Sequence, residues 1–220
     1  MSEKPILFSG EMVRAILDGR KGNTRRIVTR NNSTVLGDTR CENWDELLWN
    51  GEEYADDSLA TLGMPRNQYL HVPAMCEGDE VRYRVGSRVS PGDTLWVREA
   101  WGLHDTQPSD GPANAHVYYR ATDGDRHDLR YQRWRPSIHM PRWASRITLK
   151  VLGVHVERLQ DITEEDAIAE GFNQTTYRDG RGVESARLAF RNLWDGINGK
   201  GAWAANPWVW VYEFERKDDK

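Results

Sequence analysis

The feature that most constrains the fold of this chain is a series of short strand-type segments separated by turn signals. These segments alternate apolar and polar residues or are rich in β-branched and aromatic residues, and they lie at 4–8, 24–29, 80–85, 94–101, 116–121, 146–157 and 208–215. Pro91-Gly92-Asp93 is a turn signal, and Gly153 predicts a β-bulge in the longest segment. Strands and helices do not alternate as βαβ units would. The pattern predicts an α+β fold, a mixed β-barrel with flanking helices.

Three helices are predicted beside these strands, at 10–18, 163–171 and 183–197. Ser9 is placed to cap the first, and Gly19 follows its end, where a left-handed residue is favoured. Thr163 to Asp166 resembles a capping box that opens the second. The third has apolar residues at near-helical spacing, so we expect one face of it to pack on the sheet.

Composition restricts the classes of function. The net charge is −4, which argues against a generally basic coat for nucleic acid. Cys41 and Cys76 have no Cys or His partner at a metal-ligand spacing, so we expect free thiols, no metal and no cofactor. No apolar run resembles a signal peptide or a membrane span, and the expected location is the cytoplasm.

A basic loop follows the first predicted helix. It carries Arg20, Lys21, Arg25 and Arg26 with no acid between them. Cations complement the negative end of a helix dipole, which accounts for one or two of the four. The helix dipole does not account for the other cations, or for the hydroxyl of Thr24 three residues after the lysine. The loop is therefore a candidate functional site.

The same loop carries a resemblance to a known family. The run Gly19-Arg20-Lys21-x-x-Thr24-x-Arg26 resembles the signature of the ASCH family, small β-barrel domains similar to PUA RNA-binding domains. Residues 4–9, 91–99, 134–146 and 206–211 are similar to blocks of phage and prophage ASCH proteins. The resemblance implies a PUA-like barrel whose partner is RNA or a modified nucleoside.

Residues 1–220 suit a single domain. Compared with a minimal ASCH barrel, we expect the chain to carry insertions at about 31–75 and 104–135. The first is acidic, and we interpret it as a solvated surface lobe; the alternative is a lid or a segment that binds a protein partner.

The resemblance also implies catalytic residues. In small ASCH enzymes that hydrolyse the acetamide of N(4)-acetylcytidine, the pattern is a lysine, a threonine three residues on, and a glutamate in a later helix. Lys21, Thr24 and Glu170 match it, and the stretch before that helix matches at 159–164. These residues would act as base, nucleophile and proton shuttle, respectively.

Elementary chemistry is compatible with these roles. A threonine hydroxyl becomes a nucleophile when a base removes its proton, and a lysine serves as that base if burial or nearby cations lower its pKa. A carboxylate beside Lys21 has the opposite effect, so the pair must titrate together. The backbone N–H groups of Gly22 and Asn23 are candidates for an oxyanion hole. The alternative is that Lys21 and Glu170 form an ordinary surface pair.

A second hypothesis is RNA binding without catalysis, through cations and stacked aromatics. The candidate binding residues are Arg20, Arg25, Arg26, Arg98, Arg142 and Trp143. For Trp143 the alternative is core packing, and for Arg98 it is an ion pair with Glu99. RNA cleavage, or a phage accessory role in which the 31–75 insertion binds a host protein, are further hypotheses.

Overall fold

The computed structural model describes residues 2–29, 31, 33–36, 69–76, 79–103, 116–126, 133–173, 175–176 and 183–217. Its strands are β1 (Glu3–Leu7), β2 (Asn23–Ile27), β3 (Ser33–Leu36), β4 (Tyr69–Cys76), β5 (Asp79–Ser87), β6 (Thr94–Arg98), β7 (Trp101–Leu103), β8 (Val117–Tyr119), β9 (Thr148–Arg158), β10 (Thr175–Thr176), β11 (Val183–Glu184) and β12 (Trp208–Lys217). Its α-helices are α1 (Gly10–Leu17), α2 (Arg120–Asp123), α3 (Glu164–Ala169) and α4 (Ala186–Asn198).

The central sheet has five strands in the order β1-β6-β9-β12-β2. Strand β1 runs parallel to β6, and the other neighbours are antiparallel. The register between β9 and β12 shifts beside Gly153, which confirms the predicted bulge. The mixed α+β class is also confirmed. Within the described ranges, however, β1 and β2 are the two edges of this sheet and do not pair, so no closed barrel is found there.

The side chains of β12 alternate between two cores, as the pleat of a strand requires. Trp210 and Tyr212 face the core that includes Val13 of α1, whereas Val209 and Val211 face the core beneath α4. The two long helices therefore cover opposite faces of the central sheet.

Local signals set the helix ends. The N–H of Met12 donates to the hydroxyl of Ser9, and Gly19 has φ +73° just after α1. Thr163 and Asp166 form the predicted capping box at α3. The third predicted helix begins later than expected, because Ser185 caps α4 and the two residues before it form β11.

Two other elements differ from the prediction. The segment predicted as one strand at 94–101 divides into β6 and β7, which belong to different sheets, and Glu99 lies buried at the division. The strand predicted at 116–121 ends at Tyr119, where α2 begins.

Parts of the predicted insertions are described. Strands β3 and β4 flank β5 in a separate three-stranded sheet. Residues 37–68, 104–115 and 127–132, Cys41 and the side chain of Cys76 lie outside the described residues. In the described portion, no helix has both the length and the apolar character that crossing a bilayer would need.

Candidate active site

The ends of α1 and α3 bring Lys21 and Glu170 together. After Gly19, the N–H groups of Arg20 and Lys21 both donate to the carbonyl of Ala15, which directs the chain back across the end of the helix. Lys21 and Glu170 then form an isolated antiparallel bridge. Two residues separated by 149 positions are thus held by backbone as well as by side chains.

The side chains of Lys21 and Glu170 form a buried ion pair. The Lys21 Nζ lies 2.5 Å from Glu170 Oε2 and donates to the Glu170 backbone carbonyl at 2.8 Å. Their side chains are 1% and 4% exposed. The alternative of an ordinary surface pair is therefore wrong.

Gly171 makes this close approach feasible. Its φ is +97°, and a Cβ there would lie 2.7 Å from the Cβ of Ala15 and 3.3 Å from that of Lys21. Glycine adopts this φ at little cost and leaves room for both neighbours.

Arg25 connects the pair to the neighbouring strand and helix. Its Nε donates to Glu157 at 2.7 Å, one terminal nitrogen lies 3.3 Å from Asp166, and the other lies 3.5 Å from Glu170 Oε1. The guanidinium is buried. Glu157 and Asp166 thus neutralise Arg25, a role that the sequence did not reveal.

Thr24 lies on β2 opposite Tyr212 and is buried. It lines the same cavity as Lys21 and Glu170. Both hydrogen bonds of the Lys21 amine go to Glu170, and neither goes to Thr24. The structure therefore brings the three residues to one cavity, with the amine oriented by Glu170.

The cavity has a volume of about 390 Å³ and mainly apolar walls. Its aromatic lining comes from Phe8 after β1, Phe172 after α3, and Phe190 and Trp194 of α4. Sequence analysis placed the α4 residues on a packing face, and nothing in the sequence indicated that they would line a cavity.

The electrostatics of the cavity act on Lys21. Burial lowers the pKa of its ammonium, because the charged form loses its hydration; Glu170 opposes this change, and Arg26 and Arg25 add to it. Burial also lowers the pKa of Arg26, again opposed by Glu170. The low pKa that a lysine base needs thus arises from its position in the fold.

The predicted oxyanion hole is wrong for Gly22. Its N–H donates to the carbonyl of Ala169 at 2.8 Å, so it is already used in holding α3 against the loop. This hydrogen bond stabilises the approach of Glu170 to Lys21 instead.

The remaining predicted binding residues do not line the cavity. Arg20 donates to Gly171 and Asp18, and Arg142 pairs with Glu3 at the surface. Trp143 is 47% exposed, so the alternative of core packing is wrong.

Arg98 also lies away from the cavity. It donates to the carbonyl of Met140 and stacks over Trp96 at 4.9 Å. The alternative of an ion pair with Glu99 is wrong, because Glu99 pairs with Arg146.

Within the described ranges, no cluster of three His, Cys, Asp or Glu residues is arranged to hold a metal ion. The chain matches no family model, no curated protein and no solved structure. Membership of the ASCH family therefore stays a prediction from the sequence, and function has to be inferred from the site.

Proposed function

We propose that this protein is an amidohydrolase of PUA-like ASCH type that removes the acyl group from N(4)-acetylcytidine or a similar acylated cytosine. The observation that carries the proposal is the convergence of Lys21, Thr24 and Glu170, from two distant parts of the chain, on one cavity. A surface role for these residues would not require their burial.

The cavity supports a small aromatic substrate. Its volume of about 390 Å³ is in the range of small-molecule sites. The rings of Phe8, Phe172, Phe190 and Trp194 offer faces and edges against which a pyrimidine can pack. Lys21, Thr24 and Glu170 are the polar groups of the wall at which the amide would react.

The first chemical step forms an acyl-enzyme. The Thr24 oxygen attacks the acetyl carbonyl carbon, and its proton passes to Lys21. A neutral amine donates two hydrogen bonds and keeps one lone pair. Lys21 can therefore keep both bonds to Glu170 while it accepts this proton. The bond from the carbonyl carbon to N4 breaks, N4 takes a proton from the pair, and cytidine leaves.

The second step releases the acid. Water attacks the acetyl ester on Thr24 and gives a proton to the same Lys21–Glu170 pair. The ester bond breaks, Thr24 regains its proton, and acetate leaves with the remaining proton released to solvent. The two steps together consume one amide and one water. Glu170 stabilises the charged amine after each transfer, and the pair returns to its starting protonation state at the end of each step.

The test is incubation of the purified protein with N(4)-acetylcytidine, following the release of cytidine. Wild type and Lys150→Ala, which removes an exposed lysine of β9, should release cytidine, whereas Lys21→Ala should not. Absence of release by wild type, or release by Lys21→Ala, would refute the mechanism.

One observation favours a second function, binding of single-stranded RNA. Trp143 is 47% exposed and packs edge-on against Trp101, with Arg142 beside it. Exposed aromatics beside arginines are typical of surfaces on which bases stack. If this surface binds RNA, affinity should fall steeply with salt, and Trp143→Ala should weaken it. An affinity insensitive to salt would exclude this function.

A further inference from the structure

Arg26 is a positively charged group in the wall of the cavity. It lines the cavity, and its Nη2 donates to the backbone carbonyl of Leu7 at 2.6 Å. Among the described residues, no carboxylate lies within ion-pair distance of it, in contrast to Arg25. A guanidinium has five N–H donors, so most of its hydrogen-bonding capacity remains for a ligand.

The other charged groups of the site are paired with one another. Lys21 forms its ion pair with Glu170, and Arg25 contacts Glu157 and Asp166 as well as Glu170. Among the described residues, Arg26 is the cation of this group that has no carboxylate within ion-pair distance.

Arg26 and the proposed reacting groups, Lys21 and Glu170, lie at different parts of the cavity wall. Its acceptor belongs to Leu7, which is 41% exposed, and Ile197 across the lining is 67% exposed. Lys21 and Glu170 are nearly fully buried. Arg26 thus lies beside an exposed part of the cavity wall, whereas Lys21 and Glu170, where acyl chemistry would occur, lie at a buried part.

The ring of Phe8 is close to both Lys21 and Arg26. Its centroid is 5.4 Å from Lys21 Nζ and 5.2 Å from the Cζ of Arg26. Thr24 and Arg26 are two residues apart on β2, so their side chains leave the same face roughly 7 Å apart along the strand. A pyrimidine and its ribose can bridge such a separation, given the length of an arginine side chain.

We propose that Arg26 binds a phosphate group of the substrate, so that the site takes a phosphorylated cytidine. The planar guanidinium matches two phosphate oxygens. This inference rests on the proposed function for the identity of the base. The phosphate belongs to a mononucleotide or to a strand, and the test separates the two sources.

The affinity of the protein for reaction products tests the proposed phosphate contact without any turnover. Calorimetry would compare cytidine, cytidine 5′-monophosphate, cytidine 3′-monophosphate and an RNA trimer with a central cytidine and no terminal phosphate. Wild type should bind one phosphorylated ligand about 10- to 100-fold more tightly than cytidine, as expected for a charge-assisted hydrogen-bonded pair. A preference for a monophosphate assigns a mononucleotide, and a preference for the trimer assigns a strand.

The variants identify the residue responsible. Arg26→Gln should bring the phosphorylated ligands to within about threefold of cytidine, and Arg26→Lys should retain part of the preference, since it keeps the charge without the planar fork. Arg191→Gln removes an exposed arginine of α4 that does not line the cavity, and it should bind as wild type does.

Hydrolysis of free N(4)-acetylcytidine by wild type, measured separately, reports on the proposed reaction. A phosphate preference that depends on Arg26 supports the inference even if no hydrolysis occurs. Equal affinity of wild type for cytidine and all phosphorylated ligands overturns it. A phosphate preference that survives in Arg26→Gln also overturns the inference. If that variant does not fold, equal affinities of wild type for cytidine and the phosphorylated ligands still overturn it, and Arg26→Lys tests the residue.

Discussion

Two buried carboxylates in this molecule are paired with cations in different ways. Glu170 meets the point charge of Lys21 at the wall of a cavity. Glu99, between β6 and β7, receives the planar fork of Arg146, with one nitrogen 2.9 Å from Oε1 and the other 3.0 Å from Oε2. Neither Glu99 nor Arg146 lines the cavity.

We call the Glu99–Arg146 pair the closed pair, because neither residue lines the cavity. Arg146 lies 3.9 Å from the ring of Tyr119 and donates to Thr122 as well. Burial raises the pKa of the Glu99 carboxyl, and Arg146 opposes that change. The closed pair connects the junction of β6 and β7 with α2, whereas the Lys21–Glu170 pair lines a cavity together with Thr24 and is placed to exchange a proton with a ligand.

The largest expected effect is a loss of turnover when a residue of the cavity is changed, with no loss at the closed pair. If the proposed reaction is right, Thr24→Ala should lower turnover of N(4)-acetylcytidine at least about 10³-fold, because the nucleophile is lost. Thr122→Ala removes a hydroxyl beside the closed pair and should leave turnover unchanged. Cytidine release and thermal unfolding of both variants measure this. Full activity of a folded Thr24→Ala variant would eliminate the mechanism.

The next effect concerns stability. Glu170→Ala leaves Lys21 without its carboxylate in a dry environment and should lower the free energy of unfolding by about 3–5 kcal/mol. Glu99→Ala should cost about 2 kcal/mol, because Arg146 is a quarter exposed and can reach water. Denaturant titrations at neutral pH measure both, with Glu170→Gln as a milder variant. Equal losses would contradict the distinction between the pairs.

A smaller effect is expected at two glycines of similar backbone conformation. Gly171→Ala combines a positive φ with a contact to Ala15 and should cost about 2–3 kcal/mol and reduce turnover, since Glu170 would shift. Gly92 has φ +88° before β6, and a Cβ there meets nothing within 4 Å, so Gly92→Ala should cost about 1 kcal/mol with turnover intact. A Gly171→Ala variant as active as Gly92→Ala would show that the approach of α3 is not essential.

The smallest effect is a shift in pH dependence. The rate with N(4)-acetylcytidine should rise with pH as Lys21 loses its proton, at a midpoint below the ordinary lysine pKa of about 10.4. Arg26 contributes to the low pKa of Lys21, so Arg26→Gln should raise that pKa and move the midpoint to higher pH. Arg191→Gln is the matched control. A shift to lower pH would contradict the assignment of Lys21 as the base.

Much of the local structure could be predicted from the sequence. The caps at Ser9 and Thr163, the left-handed Gly19 and the bulge beside Gly153 depend on residues within a few positions of one another, and all are observed. The division of the 94–101 segment could not be predicted, because Glu99, at the division, forms its ion pair with Arg146 from a distant part of the chain.

The candidate site was predicted only in part. Spacing in the basic loop identified Lys21 and Thr24, and Glu170 came from the resemblance. The partners of Arg25 on β9 and α3 were missed because they lie more than a hundred positions away in the chain. For Trp143 the sequence left base stacking and core packing as alternatives, since an apolar side chain carries no local signal of the face it will occupy; the structure exposes it.

The sequence by itself determined the mixed class of secondary structure, the caps of α1 and α3 and the charge of the basic loop, because propensity, capping and turn chemistry are local. Only the tertiary structure decided which of those charges is a candidate for chemistry. It buried Lys21 against Glu170, left Arg26 facing the cavity without a carboxylate partner among the described residues, and placed Arg20 outside it. The physical reason is that desolvation and charge pairing depend on which distant segments pack together, and these set the pKa that the proposed reaction requires.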